Sequence, residues 1–531
     1  MTRTIWHRAG TTRRRFMGST AAAGAAGLIL PTPWVKRAYG QARSTLVFAS
    51  GEPLTGNWDP TSHTQLAQIN IEGFYFGKLF NTPMRPEKPD EIVWDLALSQ
   101  EVIDLHTMEY KLRDGVTFHN GAPFSAEDVK ATFEYASQPT RPAAWYPGPV
   151  EVEVVDRLTA RVHTDKAGFP AAAFYFLAGF LPIMSKADIE DPATLQGRPN
   201  GTGPFKFQEQ KGNTTVLVAN DSFWGGRPII NELQFAYIGD ATTRVLALLS
   251  GEIDITERLE PEQYETLSNE AKVEVSRTIA TENKYLHFRT NKAPFDNPML
   301  RLAACHAIDR EQVMEVMGVA GHPSNNYISP VKFGYVDLPN YPTYDPAKCQ
   351  ELLAAAGFPN GEGLPELEYL TSTGFYPKTK EYGEVITAML QEQGFNVKLT
   401  VMETAAWLER IYQREGQEPY GHMVDVGWST GSPEPDLVLR SMFHSKASAM
   451  GGLINGNKDP DVDAALDAQQ AEPDPVKRAE KIGIATGVIA SKAPSFSLFT
   501  SVLLHGKRRG LENVYFYPNG PIDATRAEFK A

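Results

Sequence analysis

Short runs in which apolar and polar positions alternate are interleaved with longer runs of helical period along the chain. Residues 44–49, Ser-Thr-Leu-Val-Phe-Ala, read as a strand feeding a loop rich in Gly, Pro and Asn over 51–60. Residues 107–112 alternate like a half-buried strand and stop at the Asp114-Gly115 turn, and 150–162 and 214–220 read as further strands. Ser125-Ala126-Glu127-Asp128 has the form of a capping box and opens a helix through Ala136. Helices are also predicted over 69–79 and over 240–250, the latter between the cap Asp240 and the stop Gly251. The later half carries predicted helices at 297–317, 345–356, 378–393, 403–414 and 475–491, with strands at 366–371, 395–402 and 421–428 between them. A sheet-rich first half and an α/β second half follow from this pattern, and no internal repeat interrupts it.

Composition narrows the class. At roughly 100–200 residues per domain, 531 residues suit two to four domains, and 42% hydrophobic with 22% charged residues is the make-up of a packed chain. Only Cys305 and Cys349 are present, so neither a disulfide scaffold nor a Cys-based zinc module is built here; both fall in helical patterns and are expected as buried thiols. A net charge of −13 argues against a nucleic-acid partner. Residues 1–42 depart from the rest, with Arg3, Arg8, Arg13, Arg14, Arg15, Lys36 and Arg37 and no acid. An Ala/Gly-rich apolar stretch runs from Phe16 to Leu30, short of the ~20 apolar residues of a membrane span, and small residues follow at Ala38, Gly40 and Ala42. That is the layout of an export signal cleaved near 40–43. Thr12-Arg13-Arg14-Arg15-Phe16-Met17 resembles a twin-arginine signal. The mature chain is expected to be acidic, periplasmic and free of any membrane anchor.

Chemical motifs are few. Gly427-Trp428-Ser429-Thr430-Gly431 matches G-x-S-x-G, but a nucleophile elbow needs a helix directly after the serine, and Ser432-Pro433-Glu434-Pro435 follows instead. A secreted serine hydrolase using Ser429, with Asp436 and His444 as partners, is therefore the weaker alternative, and no enzyme activity is expected. The histidines form no metal-ligand spacing, His119 and His306 read as structural, and Gly225-Gly226 lacks the rest of a phosphate loop. No cofactor or metal is expected.

Four separated stretches carry a resemblance. The first is Tyr110-Lys111-Leu112-Arg113-Asp114-Gly115-Val116-Thr117-Phe118-His119-Asn120-Gly121, continued to Val129. The second is Gly201-Thr202-Gly203-Pro204-Phe205-Lys206-Phe207 with Phe223-Trp224-Gly225-Gly226 and Ser250-Gly251-Glu252-Ile253-Asp254. The third runs from Pro294-Phe295-Asp296-Asn297 through Arg301 to Ala307-Ile308-Asp309-Arg310, and the fourth joins Gly427-Trp428 and Pro435-Asp436 to Asp459-Pro460-Asp461-Val462-Asp463. Together they resemble the bacterial extracellular solute-binding proteins of the peptide/nickel-binding group, family 5, which serve ATP-binding-cassette importers. The residues themselves read as turn-makers and caps rather than as chemistry.

The resemblance implies an α/β, two-lobed periplasmic binding protein (type II, cluster C-like) with an extra subdomain in the first lobe and two hinge crossings. Lobe I is expected over 43–285 plus 498–531, with the subdomain at about 73–181, and lobe II over 286–497. The implied function is capture of a small polar organic solute (peptide, opine or oligosaccharide) by lobe closure and its delivery to permease subunits in the inner membrane, the binding protein acting as a monomer. The expected cleft walls are the 421–437 segment, where an aromatic residue and free backbone groups end a strand, and the loop after the first strand. The candidate ligand-binding residues are Glu52, Leu54, Asn57, Trp58, Trp407, Asp425, Trp428, Ser429, Thr430 and Gly431. Peptide-binding relatives often carry an aspartate three residues after this tryptophan, paired with the peptide ammonium. Here that position is Gly431, with Glu52 or Asp425 as the available substitutes, so opine- or sugar-like solutes are favoured over unmodified peptides and nickel is disfavoured.

Overall fold

The computed structural model describes residues 44–530, apart from Thr64 and the segments 139–147, 196–199, 413–417 and 447–453. The expected export signal lies outside the described residues. The centre of the fold is an eleven-stranded mixed sheet. Two long strands, Val273–Phe288 and Ser495–Arg508, pair antiparallel through its middle and join two wings. Beyond Val273–Phe288 lie Met423–Trp428, Leu367–Thr373 and Val397–Glu403; beyond Ser495–Arg508 lie Ile255–Thr256, Thr45–Ser50, Glu232–Tyr237, Thr214–Ala219 and Phe205–Lys211, and the short strand Gly321–His322 pairs with Ser495–Arg508 off this path.

The pairing of the long strands slips between the wings. Val273 to Ile279 match Arg508 to Val502 one for one, and pairing resumes only at Asn283 with Thr500. Residues 280–282 thus stand opposite Ser501 alone, a bulge that frees their backbone groups for other partners. Ala280 O accepts from Ser329 Oγ and Thr281 N donates to Pro518 O at 3.0 Å.

A separate antiparallel sheet of four strands, in the order Ala97–Asp104, Thr107–Leu112, Thr159–His163, Glu151–Asp156, is covered by the helix Ala126–Ala136. Its core, from Leu79 and Phe80 to Leu181 and Ile183, is distinct from those of the wings. Ser125 and Asp128 close the expected capping box on the covering helix. Asp240 likewise caps Ala241–Ser250, its carboxylate accepting from Thr243 N at 2.7 Å. Gly394 ends the helix Thr379–Glu392 at φ +94°, and a Cβ there would sit 2.3 Å from Asn360 O, so only glycine fits.

Several elements differ from those the sequence pattern predicts. The helix expected at 297–317 is two, Pro298–Ala307 and Arg310–Met317, because Asp309 turns its carboxylate to Glu311 N at 2.9 Å and caps the second. The helix expected at 69–79 is Leu66–Tyr75, after which Phe76 is extended. Helices Asp436–Phe443 and Pro460–Gln470 and the two long strands were not foreseen as elements. The prolines at 433 and 435 delay a helix after Trp428 rather than forbid one, since the chain turns helical at Asp436, directly after Pro435. Cys305 and Cys349 are both buried and unpaired. No helix among the described residues is long and apolar enough to cross a membrane.

Candidate functional site

In open α/β sheets, ligands collect beyond the carboxyl ends of the strands. Two such ends carry the segments singled out above: Thr45–Ser50 runs into the 51–58 loop, and Met423–Trp428 runs into 429–435. Trp428 is half-buried, with its indole Nε1 enclosed and without a hydrogen-bond acceptor among the described residues. Ser429 Oγ shares a hydrogen bond with Thr281 Oγ1 of the bulge. Lys332 pins the next turn: its ammonium, fully buried, donates to Thr430 O and Thr430 Oγ1, both at 2.8 Å, and to Ser432 O. Burial pushes the Lys332 pKa down to about 7, with Glu434 opposing the shift. Gly431 O accepts from Asn519 Nδ2 at 2.8 Å, and a Cβ on Gly431 would lie 2.2 Å from the Phe180 ring.

Glu434 anchors the far end of this loop. Its carboxylate meets Arg478 at 2.5 and 2.9 Å, both side chains almost wholly buried, and accepts from Asp436 N at 3.0 Å.

The other sheet face at the same strand end holds a charged cluster that the sequence reading missed. Glu282 accepts from Ser501 Oγ at 2.7 Å and lies over Gly427, where a Cβ would come within 2.8 Å of its carboxyl carbon. Lys284, 1% exposed, places Nζ over the Tyr376 ring, 2.7 Å from its centroid, with no hydrogen-bond acceptor among the described residues. Burial pushes the Lys284 pKa down to about 8, against Asp425 and Glu282. Tyr376 OH in turn donates to Gly427 O at 3.0 Å.

The sequence-predicted residues divide accordingly. Trp428, Ser429, Thr430 and Gly431 form one loop. Glu52 is half-buried and ion-paired with Arg258 at 2.5 Å, and Leu54 is half-buried against the first wing's core. Asn57 serves its own loop, donating to Ser62 Oγ at 2.8 Å and accepting from Asp59 N at 3.0 Å. The structure buries the other three behind the wall. Trp58 packs on Tyr75 and Phe207, and Trp407 on Phe375 and Tyr376. Asp425 is fully enclosed, takes a hydrogen bond from Tyr382 OH, and has its pKa pushed up to about 6 by burial. A tryptophan near a loop gives no sign in sequence of which way it faces. Lys332 did leave one: a lone lysine within the apolar run 327–333.

The serine-hydrolase alternative fails on the same geometry. Ser429 meets a threonine rather than a histidine, and His444 lies 3.3 Å from Asp467 and 3.9 Å from Asp463.

Two wings joined by paired long strands, each wing with a loop at a strand end, make the two-lobed α/β fold of the type II binding proteins. The chain belongs to the bacterial extracellular solute-binding proteins, family 5, whose middle-region sequence model matches residues 91–450. It is 29% identical over 425 residues to heme-binding protein A of Haemophilus influenzae, covering 74% of this chain and 76% of that one. It is 25% identical over 492 residues to the glutathione-binding protein GsiB of Shigella boydii, covering 90% and 93%. Among solved structures it resembles the ABC transporter substrate-binding protein CtaP of Listeria monocytogenes, with a TM-score of 0.79 at 20% identity over 92% of this chain and all of that one. The chain is thus a solute-binding protein of the class that serves ATP-driven importers, and not an enzyme.

Proposed function

We propose that this protein works in the periplasm as a monomer, capturing a small polar organic solute between two lobes and presenting it to the permease subunits of its importer. Lobe I is 43–285 plus 498–531, with an extra subdomain at about 73–181, and lobe II is 286–497; separate packing of the four-stranded sheet and the bulge at 280–282 support this division. The observation that carries the reading is the 428–432 loop, braced from behind by Lys332 and Asn519 while its tryptophan and hydroxyls stand at a strand end.

Heme and glutathione, named for two relatives, share so little that family membership leaves the solute open. The local charges favour opine- or sugar-like solutes over unmodified peptides. Gly431 offers no acid, Asp425 is enclosed under Tyr382, and Glu52 is occupied by Arg258. A desolvated ammonium lacking its partner forfeits about 2–5 kcal/mol. Thermal-shift panels of dipeptides, opines and oligosaccharides test this: a solute at 100 Kd adds about 2.7 kcal/mol of stability. Shifts confined to free-amino dipeptides and abolished by N-acetylation would overturn the preference. A stabilising solute that leaves the small-angle scattering profile unchanged would overturn lobe closure.

Export by the twin-arginine route is part of the same proposal, supported by Arg13-Arg14 before Phe16 and by the acid-free first 42 residues. Replacing Arg13 and Arg14 by Lys is expected to hold the precursor in the cytoplasm. Normal export of that variant would assign the signal to the general secretory route.

A further inference from the structure

Two opposite charges stand side by side at the junction of the wings without pairing with each other. Glu282 and Lys284 lie two positions apart on Val273–Phe288 and converge on one residue of the neighbouring strand, Gly427. Lys284 is the ladder partner of Gly427, and the Glu282 carboxylate occupies the space that a Cβ on Gly427 would take. Trp428 ends the strand one position further on, opposite Asn283.

Both charges are left open. Among the described residues the half-buried Glu282 carboxylate accepts from Ser501 Oγ alone. Lys284 Nζ is buried with no acceptor there, and the Tyr376 ring covers it. Asp425, the next acid along the neighbouring strand, takes its hydrogen bond from Tyr382 OH instead. Where this chain builds an ion pair it brings the partners into contact, as with Arg478 and Glu434 or Arg258 and Glu52. Here the acid lacks a cation and the ammonium lacks an anion. A buried ammonium without an acceptor is costly, and an arriving carboxylate removes that cost.

We propose that Glu282 and Lys284 read the head of the solute: a protonated amine and a carboxylate borne on one carbon atom. The amine binds Glu282, and the carboxylate binds Lys284 in place of the Tyr376 ring. That exchange trades a cation–π contact for a charge-assisted hydrogen bond, the stronger of the two. The inference deepens the reading of a captured polar solute and rests on it. It narrows the class to N-substituted amino acids, the opine type. An unmodified peptide has turned the carboxyl beside its ammonium into an amide, and a neutral sugar carries neither charge.

The test is isothermal titration of the solute-free protein with the opine that gives the largest thermal shift, with its carboxyl methyl esters and with its N-acetyl form. In the wild type, esterification and acetylation are each expected to weaken binding about 30-fold, since each leaves one protein charge without its partner. Lys284→Met is expected to abolish the penalty for the ester and keep that for the acetyl form, and Glu282→Gln to do the reverse. Added bulk alone predicts the same penalties in the variants as in the wild type, and a loosened fold weakens all three ligands alike. The wild-type comparison needs no variant and decides the matter where a variant does not fold. Binding of no opine, equal wild-type affinities for the three ligands, or penalties that persist in both variants overturn the inference. A neutral oligosaccharide that binds and compacts the scattering profile overturns it while lobe closure stands. A fixed profile around an opine that discriminates as expected overturns closure and leaves the head-group recognition intact.

Discussion

Replacing Arg478 by Met is expected to destabilise the protein by about 3–5 kcal/mol, because the Glu434 carboxylate is left buried without its partner. The two side chains are 2% and 1% exposed and meet through both guanidinium nitrogens, a geometry in which the attraction repays the loss of water only while both partners are present. Removing both, as Arg478→Met with Glu434→Leu, is expected to recover most of that loss, since an apolar pair of similar volume avoids desolvation altogether. Urea unfolding of the two variants measures the difference. Equal losses in single and double variants would mean that the ordering of the 429–435 turn, and not the unpaired charge, carries the cost.

Lys332 predicts a pH dependence of opposite origin. Its folded pKa, about 7, lies below the ordinary value of 10.5. Between those values the unfolded chain holds a proton there that the folded chain does not, so stability contributed through Lys332 rises with pH above 7 and is flat below it. The unfolding free energy of the wild type minus that of Lys332→Met is expected to climb by about 1.4 kcal/mol per pH unit from 7.5 to 9.5. A flat difference would show that the three oxygens around Nζ replace water fully and keep the ammonium charged.

The contrast between these two groups shows where sequence reading stops. The capping box at Ser125 and the Asp240 cap were legible because the signal is local: an acceptor side chain a few residues from the amide it serves. The strand before Trp428 was legible by its alternation. Arg478 and Glu434 were not, and Lys332 left only its place among mostly apolar neighbours, because each acquires its role from a segment tens of residues away. The long strands escaped for a related reason: Val273–Phe288 is buried on both sides over its second half, so alternation fades there. Of the candidate wall, the four consecutive residues from Trp428 were placed together by chain continuity alone, whereas Trp58 and Trp407 turned inward to packing partners that no pattern announces.

The pairing of the two long strands also has a genetic reading. His287 faces Ser495 across one ladder position, so the chain leaves the first long strand at Phe288 and enters the second beside its point of departure. Everything from 289 to 494 is one uninterrupted stretch of coding sequence whose two ends emerge side by side. Such a stretch can be exchanged between homologous genes as a single cassette, with both junctions falling on neighbouring strands. An exchange of that stretch carries the strand Met423–Trp428 and the loop after it as one piece and leaves the wing around Thr45–Ser50 and Glu232–Tyr237 as it was.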